Sequence, residues 1–412
     1  MIGAGQAGLA MSRCLRDRGI DHIVLERGRI GERWRTERWD SLRLLTPNWQ
    51  SRLPGCTYDG PDPDGYMTMA DVVAYLERYA AASDAPIVAP ATVLSVSRDG
   101  DGYTVVADCG RWYARTVVVA TGYCDTPFVP AMAARVPAAI TQITPTAYRR
   151  PGQLPEGGVL IVGASASGLQ LADEIHASGR PVVIAVGHHT RLPRTYRGRD
   201  ILWWLDRMGV FDERVEDVYD VEISRDQPSL QLVGQPDHRT LDLSRLQDAG
   251  VRPVGRLLDI TGGVARFDDD LVATTAAADV KLAALLARID RFAHSEGLDT
   301  APAEPFTPCW PRFVDADTSL ALTGAGIATI VWATGFRRRY PWLQVPVLDA
   351  RGEIVHRGGV TPAPGLCVLG LHFQRRRKSS FLDGVGDDAR VLADHLAAHL
   401  AHAGAALQTE SL

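Results

Sequence analysis

The sequence predicts an α/β protein with two Rossmann-like dinucleotide-binding domains. A glycine-rich turn occurs twice, at residues 3–8 and 163–168, and each is followed by an amphipathic helical stretch and a short apolar strand. Strand, glycine-rich turn, helix and strand in this order form the βαβ unit of a parallel sheet. The chain has 412 residues, which is long enough for two domains.

The first turn carries the dinucleotide fingerprint Gly3-x-Gly5-x-x-Gly8. In this pattern one glycine makes the tight turn, one lets the backbone approach a pyrophosphate, and one lets helix and strand pack closely. Glu26 ends the next strand, about 20 residues on, where a carboxylate would bind ribose hydroxyls. The residues expected to contact a nucleotide here are Gly3, Gly5, Gln6, Ala7, Gly8, Glu26 and Arg27.

The strand that should precede this turn is nearly missing. Only Met1 and Ile2 stand before Gly3, whereas a central strand usually has about five residues. We therefore expect the natural start of the protein to lie upstream.

The second turn reads Gly163-Ala164-Ser165-Ala166-Ser167-Gly168, with serine in place of the middle glycine. Serine is small enough to leave room for a phosphate, and the flanking strand and helix patterns are intact. The residues expected to contact a second dinucleotide are Gly163, Ser165, Ser167 and Gly168.

The strand after the second turn predicts which nicotinamide coenzyme binds. No carboxylate stands where Glu26 stands in the first unit, and the sequence continues with His188, His189 and Arg191, followed by Arg194 and Arg197. A carboxylate there would select NADH, whereas basic residues can receive the 2′-phosphate of NADPH. We expect NADPH, with NADH possible, and assign the contact to His188 and Arg191. The alternative is that these arginines form a solvated surface.

Composition narrows the function classes. The formal net charge is −5 and no long basic run occurs, which argues against nucleic acid as a partner. The six cysteines (Cys14, Cys56, Cys109, Cys124, Cys309 and Cys367) form no CxxC pair, so we expect reduced thiols, no metal site and no disulfide-reducing chemistry. No apolar run is long enough to cross a membrane. We expect a cytoplasmic protein, possibly a homo-oligomer.

Two dinucleotide sites in one chain indicate two cofactors with different tasks, most economically a resident FAD and a nicotinamide that donates hydride and leaves. Residues 1–150 and 330–412 are then a discontinuous FAD-binding domain. Residues 151–329 are an inserted NADPH-binding domain, with an irregular region at 195–310.

An ordered set of further motifs resembles the class B flavin-dependent monooxygenases. Residues 31–34 match the family's GxxW flavin-contact motif and residues 39–44 match the stretch after it; residues 120–123 and 333–336 match its two ATG(Y/F) segments. Residues 372–387 are similar to the family's loop over the flavin. The further cofactor contacts implied by this resemblance are Arg33, Trp34, Leu42, Ala120, Thr121, Gly122, Thr334, Gly335, Gln374 and Leu382.

The resemblance implies a monooxygenase that reduces FAD with NADPH, forms a peroxyflavin with O₂ and passes one oxygen atom to a small organic substrate. It also places Asn48 beside the flavin, where a neutral amide would hydrogen-bond the reacting groups without supplying a proton. The alternative for Asn48 is a structural role in the turn after Pro47. The family's FxGxxxH motif is absent before the second turn, which argues against Baeyer–Villiger oxidation. An NAD(P)H-dependent reductase or oxidase and a non-catalytic redox sensor are the rival functions.

Several secondary elements are also predicted. A capping box at residues 68–71 predicts a helix through Tyr79. Apolar patterns predict strands at 93–96, 103–106, 117–120, 159–162, 182–186 and 366–370; helices near 200–208 and 277–294; a hairpin at 262–263; and a last helix from about Asp387. The proline-rich stretch 127–155 is predicted to be a linker.

Overall fold

The protein is described by a computed structural model. The structure describes residues 1–221, 225, 227–298, 301–302, 304 and 316–409, with side chains described as far as residue 402.

The α-helices of the described residues, in chain order, are α1 (Gln6–Arg16), α2 (Glu32–Thr36), α3 (Met69–Ala82), α4 (Ala166–Ala177), α5 (Ile201–Arg207), α6 (Leu243–Ala249), α7 (Leu271–Ser295) and α8 (Val385–Thr409). Short 3-10 helices occupy Asn48–Gln50, Ala131–Arg135, Pro151–Gln153, Val210–Asp212 and Val215–Asp217.

The β-strands are β1 (Val24–Leu25), β2 (Arg52–Leu53), β3 (Cys56–Thr57), β4 (Ile87–Val88), β5 (Val93–Asp99), β6 (Gly102–Ala107), β7 (Gly110–Ala114), β8 (Val117–Val119), β9 (Thr126–Pro127), β10 (Thr141–Ile143), β11 (Gly158–Val162), β12 (Val182–Ala185), β13 (Thr190–Arg191), β14 (Thr195–Tyr196), β15 (Arg199–Asp200), β16 (Leu230–Gln231), β17 (Arg252–Val254), β18 (Leu257–Thr261), β19 (Val264–Phe267), β20 (Ser319–Ala321), β21 (Ile327–Trp332), β22 (Phe336–Arg337) and β23 (Leu366–Val368).

The first parallel sheet has the order β4, β1, Ile2, β8, β23. Ile2 stands in place of a full strand, because it bridges Leu25 on one side and Val119 on the other. The side chain of Ile2 is buried. Helices α1, α3 and α8 cover one face of this sheet, where a cluster of buried apolar side chains includes Leu9, Leu76 and Leu392. A three-stranded antiparallel sheet, β5–β6–β7, packs on the other face.

The second sheet is a five-stranded parallel sheet in the order β10, β21, β11, β12, β17. The strands β11, β12 and most of β21 are buried along their length, as their unbroken Val, Ile and Leu content requires of a parallel sheet covered on both faces. Pro253 lies in β17, an edge strand, where a missing backbone N–H is tolerated. This sheet with its helices confirms the prediction of two Rossmann-like units.

Two predicted boundaries shift. The stretch 127–155, predicted as a linker, contains β10, which pairs with β21 at the edge of the second sheet. The predicted boundary at 330 falls within β21, which pairs with β11 in the same sheet. The second unit therefore extends from β10 to at least Trp332.

Most predicted elements are present. Thr68 caps α3 with a complete capping box, and β18 and β19 form the hairpin at Gly262 and Gly263. The predicted helix at 277–294 starts six residues earlier, at Leu271. The described cysteines are free thiols; Cys309 lies outside the described residues.

Candidate functional site

A large cavity is lined by residues that follow strands of both parallel sheets. Its volume is about 1630 Å³, and both glycine-rich turns line it. Pockets for one small ligand usually measure about 300–1,000 Å³. The cavity is therefore large enough for more than one small ligand.

The three glycines of the first turn divide their tasks as the fingerprint predicts. Gly3 has φ +105°, and a Cβ there would come within 2.6 Å of the Ala120 carbonyl oxygen. A Cβ on Gly8 would overlap the Gly3 carbonyl, so Gly8 lets helix and strand pack. A Cβ on Gly5 would meet nothing within 4 Å, because Gly5 faces the open cavity.

The N-terminus of α1 is ready to receive an anion. Its N-cap residue is Gly5, so no side chain satisfies the first backbone N–H groups, and Gly5, Gln6 and Ala7 line the cavity. In contrast, Thr68 caps α3 through its own hydroxyl. Uncapped N–H groups and the positive end of the helix dipole favour a pyrophosphate at α1.

Glu26 stands at the end of β1 on the wall of the same cavity. Its carboxylate accepts hydrogen bonds from Ala4 N at 2.7 Å and Gly28 N at 2.9 Å. Each carboxylate oxygen has a second lone pair, so both can also accept a ribose hydroxyl. Arg27, which follows, also lines the cavity.

The segment after Gly31 places an indole next to the first turn. Trp34 Nε1 donates to Gln6 Oε1 at 3.4 Å, and Trp34, Arg33 and Leu42 all line the cavity. The Arg33 guanidinium is already paired with the Asp125 carboxylate. Arg33 can therefore contribute a lining surface, while its charge is largely neutralised by Asp125.

The second turn repeats the geometry of the first. Gly163 has φ +108° and would clash with the Ala333 carbonyl oxygen if it carried a Cβ, and a Cβ on Gly168 would overlap the Gly163 carbonyl. Ser165 takes the place of Gly5 as N-cap of α4, and its side chain does not cap the helix. Ser165 and Ser167 both line the cavity, as a phosphate-binding turn requires.

The two ATG segments hold equivalent positions beside the two turns. Ala120 follows β8 and abuts Gly3, while Ala333 follows β21 and abuts Gly163. The segments Ala120-Thr121-Gly122 and Ala333-Thr334-Gly335 both line the cavity. Thr334 Oγ1 donates to the Phe128 carbonyl oxygen, so it anchors the crossing between the two units.

The prediction that Arg191 contacts the 2′-phosphate of the coenzyme is wrong. The Arg191 guanidinium forms ion pairs with Asp242, at 3.1 Å, and with Asp279. The Arg191 side chain is only 11% exposed, and it does not line the cavity. Arg194 pairs with Asp200 and Arg197 with Asp290, so the alternative of a solvated surface is also wrong for them. His188, in contrast, is exposed and lines the cavity next to the second turn.

Asn48 and Gln374 also lie elsewhere than predicted, since neither lines the cavity. Asn48 Nδ2 donates to the Asp62 carbonyl and Asn48 Oδ1 accepts from Met67 N, both at 2.8 Å. Gln374 Nε2 donates to the Val368 carbonyl at 3.0 Å, and its Oε1 accepts from a backbone N–H. Both amides are used to hold backbone turns, as the structural alternative for Asn48 expects.

The loop before α8 closes one side of the cavity. Three residues of this loop line the cavity: Ser380, Phe381 and Leu382. The Leu382 side chain is also buried. The Ser380 hydroxyl is buried, and among the described residues it has no hydrogen-bond partner. A buried, unsatisfied hydroxyl on a cavity wall fits a polar ligand edge, because leaving it unpaired is unfavourable.

This loop is fastened to the second unit by a segment that the sequence did not predict, the 211–215 strap. Backbone hydrogen bonds run from Val215 N to Arg375 O at 2.9 Å and from Arg377 N to Glu213 O at 3.2 Å. The Glu213 carboxylate also pairs with the Arg377 guanidinium. The strap thus joins the second unit to a loop that lines the cavity.

Two histidines on the cavity wall were also missed. Burial, together with the nearby Arg225 and Arg338, lowers the pKa of His356 to about 4. Burial and Arg338, Arg377 and Arg225 lower the pKa of His372 as well. His356 is therefore neutral at pH 7, and the lowered pKa of His372 favours its neutral form. No motif marks them, because their environment is created by residues distant in sequence.

The residues present fit the two expected cofactors. The first turn with Glu26 has the donor set for an adenine dinucleotide such as FAD, and the second turn with His188 has one for a nicotinamide dinucleotide. Within the described residues there is no cluster of His, Cys, Asp or Glu that could hold a metal ion. In the same part of the chain, no helix combines the length and apolarity that a membrane span needs.

Comparisons with known proteins agree with this geometry. The profile of the family described as pyridine nucleotide-disulphide oxidoreductase matches residues 1–205. An uncharacterized CzcO-like oxidoreductase of Geobacillus kaustophilus is 33% identical over 403 residues, covering 97% of this chain and 98% of that protein. The indole-3-pyruvate monooxygenase YUCCA6 of Arabidopsis thaliana is 31% identical over 209 residues, covering 48% of this chain and 50% of that protein.

The fold also has solved counterparts. A flavin-containing monooxygenase from Stenotrophomonas maltophilia superimposes with a TM-score of 0.67, at 20% identity, over 97% of each chain. At this identity the likeness concerns the fold.

Proposed function

This chain belongs to the CzcO-like oxidoreductases, and on that premise we propose that it is a class B flavin monooxygenase that depends on FAD, uses NADPH and acts on a small organic substrate. The observation that carries the proposal is that two uncapped helix N-termini, at Gly5 and Ser165, line one cavity. Two dinucleotides held there would have their reactive ends in a shared space. The cytoplasmic location expected from the sequence stays part of this proposal.

The chain's own contribution is to bind and orient. The N-terminus of α1 would hold the FAD pyrophosphate while Glu26 binds the adenosine ribose, and the N-terminus of α4 would hold the NADPH pyrophosphate. When bound, FAD supplies hydride acceptance from NADPH and activation of O₂, which no side chain can supply. We place the adenosine ribose of NADPH beside His188 because no carboxylate lines the cavity there among the described residues.

The wall residues also limit proton supply and water. Leu382 and Phe381 shield one side of the cavity, and the 211–215 strap holds their loop in place. His356 and His372 have lowered pKa values, which favours the neutral form of each imidazole. A dry wall with neutral imidazoles favours oxygen transfer over loss of hydrogen peroxide.

The test is oxygen labelling with FAD-loaded protein, NADPH and ¹⁸O₂, using a panel of thioethers, amines and 2-oxo acids. The proposal predicts one labelled oxygen atom in a product and NADPH consumption in step with it. Consumption of NADPH with all oxygen recovered as hydrogen peroxide would favour the reductase or oxidase. No consumption of NADPH by protein that retains FAD would favour the redox sensor.

A further inference from the structure

One wall of the cavity is apolar, and seven of its ten residues come from the irregular region 195–310. The wall belongs to a separate hydrophobic cluster, ten of whose described members also line the cavity. These ten are Leu45, Leu192, Leu202, Leu205, Val210, Phe211, Leu230, Leu232, Leu285 and Phe381, called here the leucine wall.

The leucine wall is held by secondary structure. Leu202 and Leu205 lie three residues apart on α5, so both project from one face of that helix. Leu285 lies on α7, and Leu230 begins β16. Behind them the cluster contains fully buried side chains such as Ile289. The wall is therefore a preformed surface of fixed shape.

Neither expected cofactor needs this wall for its charged groups. The pyrophosphates have the N-termini of α1 and α4, where Gly5 and Ser165 face the cavity. Apolar side chains offer such groups no hydrogen bonds. An apolar surface that includes Phe381, from the loop before α8, suits the body of a third molecule.

One cation stands at the edge of the leucine wall. Arg288 lies on α7 three residues after Leu285, so both share one side of the helix, and both line the cavity. Arg288 is exposed, and the structure gives it no ion-pair partner among the described residues. Of the other arginines that line the cavity, Arg33 and Arg377 are paired with carboxylates. Arg38 and Arg43 instead donate hydrogen bonds to backbone carbonyl oxygens.

We infer that the leucine wall binds the body of the substrate and that the substrate is a hydrophobic organic acid whose carboxylate reaches Arg288. The inference rests on the proposed function, since it names the substrate class of the same cavity. An apolar wall discriminates by shape and size, and an arginine at its edge selects an anionic group through paired N–H donors.

The experiment is equilibrium binding to oxidised, FAD-loaded protein, measured by calorimetry without NADPH. The probes are 4-phenylbutyrate, its neutral amide 4-phenylbutyramide, and acetate. The inference predicts that phenylbutyrate binds at least about threefold tighter than the amide, while acetate shows no measurable binding. Equal affinity of phenylbutyrate and its amide, or binding of acetate as tight as that of phenylbutyrate, would overturn it.

Two variants and a matched control locate the site. Leu285→Gln should weaken phenylbutyrate and its amide alike, by about tenfold. Arg288→Gln should weaken phenylbutyrate only and remove its advantage over the amide. Val280→Gln, at a 70% exposed position on the same helix that does not line the cavity, should change neither. A response of Val280→Gln equal to that of Leu285→Gln would contradict a localised site.

A coenzyme titration separates the two anions that Arg288 could bind. The inference predicts that Arg288→Gln leaves the Kd of NADP⁺ within about twofold of the parent protein. Weaker NADP⁺ binding with unchanged phenylbutyrate binding would assign Arg288 to the coenzyme and overturn the carboxylate assignment. These measurements need no turnover, so failure of oxygen transfer in the labelling experiment is read independently.

Discussion

Gly168 lies so close to Gly163 that any β-carbon at position 168 would overlap the Gly163 carbonyl oxygen. The same relationship holds between Gly8 and Gly3 at the first turn. In both units the first glycine adopts a positive φ and the last one lets the helix approach the strand. The two cofactor sites are thus built by the same backbone device, once in each sheet.

This division of tasks predicts different consequences for two substitutions in one turn. Gly8→Ala should destabilise the fold by about 3 kcal/mol, because its Cβ would overlap backbone that cannot move freely. Gly5→Ala should leave the stability of the FAD-free protein unchanged but weaken FAD binding about tenfold, because its Cβ occupies open space that the pyrophosphate needs. Thermal unfolding without FAD and a flavin fluorescence titration measure the two effects. Loss of stability in both variants would contradict the division.

The ion pairs of Arg191 predict a structural role for it. Arg191→Ala should lower stability by about 3 kcal/mol, since Asp242 and Asp279 would be left buried without their shared cation. The ratio of kcat/KM for NADPH to that for NADH should stay unchanged. A tenfold change in that ratio, with stability retained, would restore Arg191 as a coenzyme contact.

His188 is the position where coenzyme preference should respond. His188→Asp places a carboxylate where the adenosine ribose is expected, and it should shift the NADPH-to-NADH ratio of kcat/KM toward NADH by about tenfold or more. His188→Gln serves as the neutral control. Equal ratios for the aspartate and glutamine variants would remove His188 from the site.

The buried carboxyl of Asp388 should make the free energy of unfolding depend on pH. Burial raises the pKa of this carboxyl from 3.8 to about 6, opposed by Ser379, Arg375 and Arg376. Above pH 6 the folded protein carries the buried charge, a destabilisation of about 3 kcal/mol. As the pH falls from about 6 to about 4, the folded state binds the proton first and this destabilisation disappears.

Asp388→Asn should therefore stabilise the protein at pH 8, by about 1–2 kcal/mol after allowing for the imperfect fit of the amide. The gain should shrink toward pH 4, as measured by thermal unfolding across the pH range. Asp59→Asn, at an exposed position, is the control. A gain that does not depend on pH would show that burial of charge is not its cause.

Loosening the 211–215 strap should weaken the coupling between NADPH oxidation and oxygen transfer. Glu213→Ala removes the pair with Arg377 and loosens the loop that carries Phe381 and Leu382. Hydrogen peroxide release per NADPH consumed should rise about twofold or more, since water reaches the cavity more easily. Flavin content should not change. Glu156→Ala, at an exposed position, should match the parent protein.

The glycine-rich turns were predictable because their function requires a short, local pattern. Gly3, Gly5 and Gly8 act within six residues, and Ala120 is marked by its own motif after a buried strand. The strands of both sheets were also predictable, since unbroken Val, Ile and Leu runs leave few alternatives.

The remaining features depend on partners that are distant in sequence. Arg191 looks like a coenzyme contact until Asp242 and Asp279, 51 and 88 residues later, are seen to hold it. Asn48 matches a family position, but its amide is used by the backbone of Asp62 and Met67. The leucine wall could not be predicted, because its leucines come from separate short elements without a common period.

NADPH held at the second turn would supply hydride to FAD held at the first, because both turns line one cavity. The most direct test reduces the FAD-loaded protein with NADPH without oxygen, mixes it rapidly with oxygenated buffer, and follows the oxidised-flavin absorbance and hydrogen peroxide. A Ser165→Asp variant, with a carboxylate at the second turn, is the control and should be reduced by dithionite but not by NADPH. The account predicts a clear lag before the oxidised spectrum and peroxide appear in the parent protein. Immediate return of the oxidised spectrum with an equivalent amount of hydrogen peroxide would contradict the proposed function. So would a Ser165→Asp variant that NADPH reduces as readily as the parent protein.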